Sequence, residues 1–262
     1  LPTAWKPNIF LDRSGAKYYG SGKNLTRRLD MYPESRTIYF GTEIIHPPQK
    51  YEKSALQDFY MELTRSAKYC GCDYASFSLV SPNSADLQTV EGESISRCLV
   101  RPDRIHISED WTKASIDDFV TRVKEIAGTA SRVLNTRIYI MQTCVIRCLF
   151  QPSSTKDARI FLSEKVCGLS GKEKIFTYFN NRPAHIFGIR LFFPPLKDQP
   201  FEFDIKIESF NRDISWIFTE NMGTYRGAPV TQDNLEPLEA NIRTTMEFLT
   251  KNTFEFLQQF DT

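Results

Sequence analysis

Three arginines stand inside otherwise apolar, strand-like stretches of this 262-residue chain: Arg97 in SISRCLV, Arg147 in CVIRCLF and Arg190 in FGIRLFF. A guanidinium is a rigid, planar fork of donors. Set into a β face, it closes on a carboxylate of the same molecule or meets an anionic ligand. Side chains alternate across a strand, so Arg147 is expected to share a face with Tyr139, Thr143 and Val145, and Arg190 with Gly188 and Phe192. In the first half of the chain Tyr39 and Glu43 share a face, with Gly41 between them. If helices cover the more apolar side of a sheet, its other side carries Tyr39, Glu43, Arg147 and Arg190, the candidate binding residues. Two readings follow. In one, Arg147 or Arg190 pairs internally with Glu43, because buried charges are usually paired. In the other, the arginines await an anionic ligand or a phosphate backbone.

Other chemistry-bearing residues are sparser. Of the three histidines, His46 abuts Pro47-Pro48, His106 alternates with Ile105 and Ile107, and His185 follows a proline two residues back. None sits at metal-ligand spacing from a second ligand, and Cys70, Cys72 and Cys98 do not have the spacing of a zinc ribbon or finger. Glu202, Asp204, Lys206 and Glu208 read as one solvated strand face. GSGKN (20–24) resembles a phosphate loop but has Lys17 where a glycine is required and Asn24 where Ser or Thr would hold magnesium. The chain carries no catalytic signature, and neither a metal nor a cofactor is expected.

The elements that must position these residues follow from periodicity. TIYFGTEII (37–45) is a strand stopped by Pro47-Pro48, and SALQDFYMELTRSA (54–67) a helix with Ser54 as its cap. YASFSLV (74–80), SISRCLV (94–100) and RIHISE (104–109) alternate as strands, and Ser115 caps a helix with Ile116, Phe119, Val123, Ala127, Ala130 and Leu134 inward. RIYIMQTCVIRCLF (137–150) is a long strand with a bulge, followed by a short helix, DARIFLSEKV (157–166). HIFGIRLFF (185–193), FEFDIKIES (201–209) and SWIFTENMGTY (215–225) are strands, and a long helix covers 234–260. The predicted fold is therefore α+β: two strand-helix-strands-helix units, 37–135 and 136–262, packed as one body. They form a largely antiparallel sheet with helices on one face. FGTEIIHPP (40–48) and FGIRLFFPP (187–195) look alike yet occupy non-equivalent places in this repeat.

Residues 1–36 differ, with seven basic side chains against three acidic ones, and read as an arm packed on the body through Trp5, Ile9, Phe10, Tyr18 and Tyr19. Lys17, Lys23, Arg27 and Arg28 are the candidate contacts to nucleic acid. A formal charge of only +1 disfavours that role, since wrapping nucleic acid needs a broad basic footprint. No stretch has the length and apolarity of a membrane span, and six cysteines in a chain this long read as reduced thiols of a cytoplasmic protein.

FGIRLFFPP, FDIKIE (203–208), Arg212-Asp213 before Trp216-Ile217-Phe218, and the closing helix resemble an uncharacterised bacterial protein family over residues 137–262. The resemblance implies a bacterial cytoplasmic protein and brings no catalytic residues. At the level of fold the repeated units look like the saddle of TATA-binding proteins or the helix-grip type. The expected role is a non-catalytic binding protein that shows a sheet face to a protein partner or a second copy. The alternatives are a small apolar or anionic ligand in a cavity lined by Phe192, Phe203, Phe218, Phe248 and Phe256, or nucleic acid bound through the arm.

Overall fold

The computed structural model describes residues 35–169, 180, 182 and 184–262; the arm residues named above, through 34, lie outside them. Alternating β-branched and aromatic residues build β1 (Ser35–Ile45), and 53–70 forms α1 (Lys53–Cys70). Four strands follow, each joined to the next by a tight turn: β2 (Ser76–Ser81), β3 (Ser84–Glu91), β4 (Ser94–Arg101) and β5 (Arg104–Asp110). Then come α2 (Ile116–Val133), the short β6 (Ile138–Tyr139), β7 (Met141–Phe150) and α3 (Ala158–Val166), which is π-helical from Phe161. The chain closes with β8 (Gly188–Phe193), β9 (Phe201–Ser209), β10 (Ile217–Tyr225), β11 (Val230–Thr231) and α4 (Glu236–Gln258).

Nine strands form one antiparallel sheet in the order β2-β3-β4-β5-β1-β7-β10-β9-β8, and β6 pairs with β11 beside it. β1 and β7 thus lie at the centre, paired from Ser35 opposite Phe150 to Ile45 opposite Met141. The helices lie on one face. Phe40 of β1 stacks on Phe119 of α2 at 5.3 Å, and Phe203 of β9 stacks on Phe248 of α4 at 4.1 Å. Some polar side chains turn inward and bond to the helices there: Gln142 Nε2 donates to Leu238 O (3.2 Å) and Asn221 Nδ2 to Thr245 O (2.8 Å). Among the described residues the other face carries no helix. It is an open sheet, the arrangement of a saddle rather than of a sheet wrapped round one helix.

Several expectations need correcting. α1 begins at Lys53 after Glu52, and Ser54 lies inside it, so Ser54 is not its cap. Tyr74 precedes β2 and is buried, although alternation within 74–80 turned it outward. β3 was missed, because Asp86 and Gln88 give SADLQTVE a polar character that only its two neighbours explain. The expected strand 137–150 breaks at Ile140. The break turns Tyr139 to the helical side, where its hydroxyl donates to Ala127 O at 2.8 Å, so Tyr139 does not share a face with Arg147. The Ser115 cap of α2 is present as a full capping box with Asp118. Pro237 sits in the first turn of α4, where a missing N–H costs little.

Two buried polar clusters constrain the first half. Glu109 of β5 turns towards the helices, where Arg122 of α2 and the Ser96 hydroxyl (2.7 Å) donate to it. Their side chains are 5% and 13% exposed, so losing one partner strands a charge in the interior. Glu109→Gln is expected to cost about 3–5 kcal/mol in urea unfolding, and pairing Glu109→Leu with Arg122→Met to recover most of it. The second cluster centres on His46, which is 1% exposed. Tyr51 Oη lies 3.1 Å from its Nε2, and its Nδ1 is 2.9 Å from Pro47 O. This arrangement fits a neutral ring that donates from Nδ1 and accepts at Nε2. Burial lowers the His46 pKa below its ordinary 6.5, and burial also lowers that of His106. The unfolded chain therefore binds protons first as the pH falls. Stability is full above pH 6.5 and declines below it until the folded-state values are passed. Denaturant midpoints taken between pH 7.5 and about 5 should show this slope, and His46→Gln should flatten it.

Candidate functional site

The bare face is read from the strand registers. From β2 to β8 it carries Ser78, Asp86, Arg97, His106, Glu43, Thr143, Glu220, Asp204 and Arg190, one side chain for each strand. All four candidate binding residues stand on it, but they are not one cluster. Tyr39 and Arg147 are opposite one another on β1 and β7, and the guanidinium lies over the phenol ring at 4.3 Å. Glu43, further along β1, bonds to Arg104. Arg190 is on the sheet-edge strand β8, four strands from Glu43, about 19 Å away across the sheet.

Arg97, Arg147 and Arg190 each already have a carboxylate. Arg97 Nε donates to Asp86 Oδ1 at 2.8 Å, Arg147 Nε to Glu220 Oε2 at 2.6 Å, and Arg190 Nε to Asp204 Oδ1 at 2.8 Å. Internal pairing is thus what the structure shows, but Glu43 is not the partner of either Arg147 or Arg190. The Arg190 guanidinium holds the Asp204 carboxyl below the usual carboxylate range. Burial pushes the Tyr39 phenol up, against the opposing pull of Arg147 and the Ser108 hydroxyl. These rungs form a charge-alternating surface whose guanidiniums are already engaged by carboxylates.

At one end of the face lies a cluster that sequence reasoning missed. Trp111 follows β5 with φ at +49°, a left-handed backbone that a bulky side chain rarely adopts. Its N–H donates to Asp110 Oδ1 at 3.1 Å. The ring sits 6.3 Å from Phe210, which stacks on Phe218 at 6.5 Å. Arg212 lies over the indole at 4.9 Å and Arg36 at 5.9 Å, and neither makes a salt bridge among the described residues. The β1–β7 bulge between Thr37 and Tyr39 places Arg36 opposite Leu149. An unbulged strand would turn Arg36 to the helical side.

The other candidates separate in space. Phe248 and Phe256 line a small groove of about 180 Å³ on the helical side, with Phe203 behind Phe248. Phe192 and Phe218 stand on the opposite face, so the five phenylalanines enclose no common cavity. Cys98, Cys144 and Cys148 are buried free thiols, and burial raises the pKa of the last two to about 12. Among the described residues no three His, Cys, Asp or Glu side chains gather as for a metal, and no helix is long and apolar enough to cross a membrane. Lys17, Lys23, Arg27 and Arg28 lie outside the described residues.

No family model and no curated protein matches this chain, so no family assignment follows for residues 137–262. A solved structure of the immunity protein TplEi of the T6SS from Pseudomonas aeruginosa, complexed with "L" peptide, aligns with 81% of this chain and 90% of its own. The identity is 8% and the TM-score 0.20, a likeness too slight to carry an argument.

Gly41 offers a way to disturb the centre of the face without touching the core. The Tyr39 ring lies over it, and an added Cβ would sit 2.7 Å from Tyr39 Cζ. Gly41→Ala should displace the ring from Arg147 while the backbone holds. The unfolding free energy is expected to fall by no more than about 1 kcal/mol, the scale of an exposed cation–π contact, with a changed tyrosine environment in near-ultraviolet dichroism.

Proposed function

We infer that this is a non-catalytic binding protein whose bare sheet face receives a protein partner. The observation that carries the reading is Trp111, held in a costly backbone conformation at the end of that face beside two guanidiniums that make no salt bridge among the described residues. Strain of roughly 1–3 kcal/mol persists where its surroundings impose it, and such residues gather at binding sites. Tryptophan and arginine over further aromatics make up the composition of an interface hot spot. Beside them, paired charges on the sheet give the polar, shape-fitting surround that excludes water. A partner that brings carboxylates to Arg36 and Arg212 fits this end of the face. Residues 37–135 and 136–262 are read as duplicated units that together make the surface, and the free, buried thiols support a reducing, cytoplasmic setting.

A photo-crosslinking amino acid tests this at two positions in cells that produce the protein. One replaces Met222, which pairs with Val145 and Asp204 on the bare face; the other replaces Met61, 51% exposed on α1. A discrete protein adduct is expected from position 222 alone, weakened at least about thirtyfold by Trp111→Ala, the scale of a hot-spot loss. An adduct from position 61 only, or one indifferent to Trp111→Ala, overturns the reading. An adduct of twice the chain's mass makes the partner a second copy.

A further inference from the structure

The nine-stranded sheet ends in two edge strands of different character, β2 and β8. β2 carries Ser76, Ser78 and Ser81, and an extra residue, Val80, shifts its register against β3. A bulge of this kind twists an edge away from a further strand. β8 has none. Its register against β9 runs unbroken from Gly188 to Phe193, and Phe192 is 58% exposed, with Ile186, Phe193 and Leu196, also exposed, close by in the chain. A charge on an edge ordinarily discourages pairing. Arg190 is the one charged residue of β8, and it turns back to Asp204 of β9 at 2.8 Å. Ser209 N donates to Phe187 O at 2.9 Å, and on the far side of β9 Phe210 N donates to Trp216 O at 2.8 Å. By alternation Ile189, Leu191 and Phe193 bond to β9, while the N–H and C=O groups of Gly188, Arg190 and Phe192 point outward. Among the described residues no strand meets them.

We propose that β8 is the contact through which two copies of this chain join, edge to edge and antiparallel, into one continuous sheet. A two-fold axis at Leu191 sets the register. Arg190 then pairs with the partner's Phe192, and Phe192 with the partner's Arg190, for four backbone hydrogen bonds. Each guanidinium comes beside a phenyl ring of the other copy, a cation–π arrangement. On the helical side Leu191 meets the partner's Leu191, and Ile189 the partner's Phe193. Both contacts lie beside the apolar groove that Leu191, Phe193, Phe248 and Phe256 line. An axis at Arg190 would instead set two guanidiniums directly opposite each other, which is destabilising. A second copy fits because GIRLFF complements itself: apolar side chains meet apolar ones, and its single charge meets a ring. The bulge in β2 disfavours a head-to-tail contact of β8 with β2, so the assembly closes at two chains instead of growing into a filament. None of these residues belongs to the Trp111 cluster, and the inference stands whether or not the bare face binds a protein.

Sedimentation equilibrium of the full chain tests it, with cysteine crosslinking to read the register. The native chain is expected to associate reversibly to twice its mass. Leu191→Cys should form an interchain disulfide on mild oxidation, since opposite residues of a non-hydrogen-bonded pair have Cα atoms about 4.5 Å apart, within disulfide range. Arg190→Cys should not, because its counterpart lies diagonally across, on the order of 7–8 Å away. Phe192→Lys sets a cation opposite the partner's Arg190 and beside the chain's own Asp204, so the fold is kept. Association should weaken about tenfold or more, since the like-charge pair occurs twice across the axis. Trp111→Ala should leave the dimer intact. A monomer at every concentration overturns the proposal, as does a dimer indifferent to Phe192→Lys, one lost in Trp111→Ala, or a disulfide from Arg190→Cys and not from Leu191→Cys. Should Leu191→Cys not fold, the response of the mass to Phe192→Lys decides.

Discussion

The register between β1 and β7 is the constraint on which the rest of the structure depends. These strands are the centre of the sheet, and every other strand of it is added outward from one of them. A slip of one residue would exchange the two faces of either strand. Ile38, Phe40 and Ile44 would then turn to water, and Tyr39 and Glu43 to the helices. Hydrophobic burial sets a steep penalty against that, so the ladder holds one register over the seven pairs from Tyr39 to Ile45 and shifts by one residue only at the bulge before them. The bulge has a local effect and a long-range one. It turns Thr37 inward, where its hydroxyl lies 3.4 Å from Cys148 Sγ, and Arg36 outward to Trp111.

With the register fixed, the bare face organises its own charge. The side chains that point away from the helices meet neighbours on the adjacent strand, and acid falls beside base: Glu220 directly opposite Arg147, and Asp86 and Asp204 diagonally across from Arg97 and Arg190. Pairs on a partly solvated surface add little stability each. Their larger effect is to close the arginines on carboxylates of the same face, which leaves those guanidiniums engaged rather than open to an anion. Only where the strands end, at Trp111, do guanidiniums stand over an aromatic ring with no carboxylate closed on them among the described residues. The asymmetry between a neutralised middle and an open cationic end gives the face its one distinctive contact point.

Much of the architecture was legible because it rests on local rules. FEFDIKIES alternates so cleanly that its predicted limits and the observed β9 coincide, and the Ser115 cap with Asp118 marks the start of α2. The candidate residues could be placed on one face by parity alone. Their partners could not, because cross-strand pairing depends on strand order, and order is a long-range property. Glu43 meets Arg104 since β5 is its neighbour; nothing within FGTEIIHPP says so. Trp111 was missed for a different reason. A positive φ at tryptophan has no sequence signature, since the residues that favour it are glycine, asparagine and aspartate.

The two similar phrases show how far local grammar reaches. FGTEIIHPP and FGIRLFFPP both end a strand, at Ile45 and at Phe193, and in both the double proline follows. Proline withholds an N–H, so neither strand can extend its ladder there. The glycines serve different neighbours. At Gly41 the missing Cβ admits the Tyr39 ring, which places that ring on the bare face against Arg147. At Gly188 it admits backbone: a Cβ would overlap the Ile207 carbonyl and stand 2.9 Å from Glu208 Cα. The first glycine therefore shapes a surface, while the second lets an edge strand close on β9. A ring can rotate away and a backbone cannot, so the same substitution is mild at one position and disruptive at the other. Identical spelling thus gives one residue to recognition and the other to the sheet edge, and only the tertiary neighbour decides which.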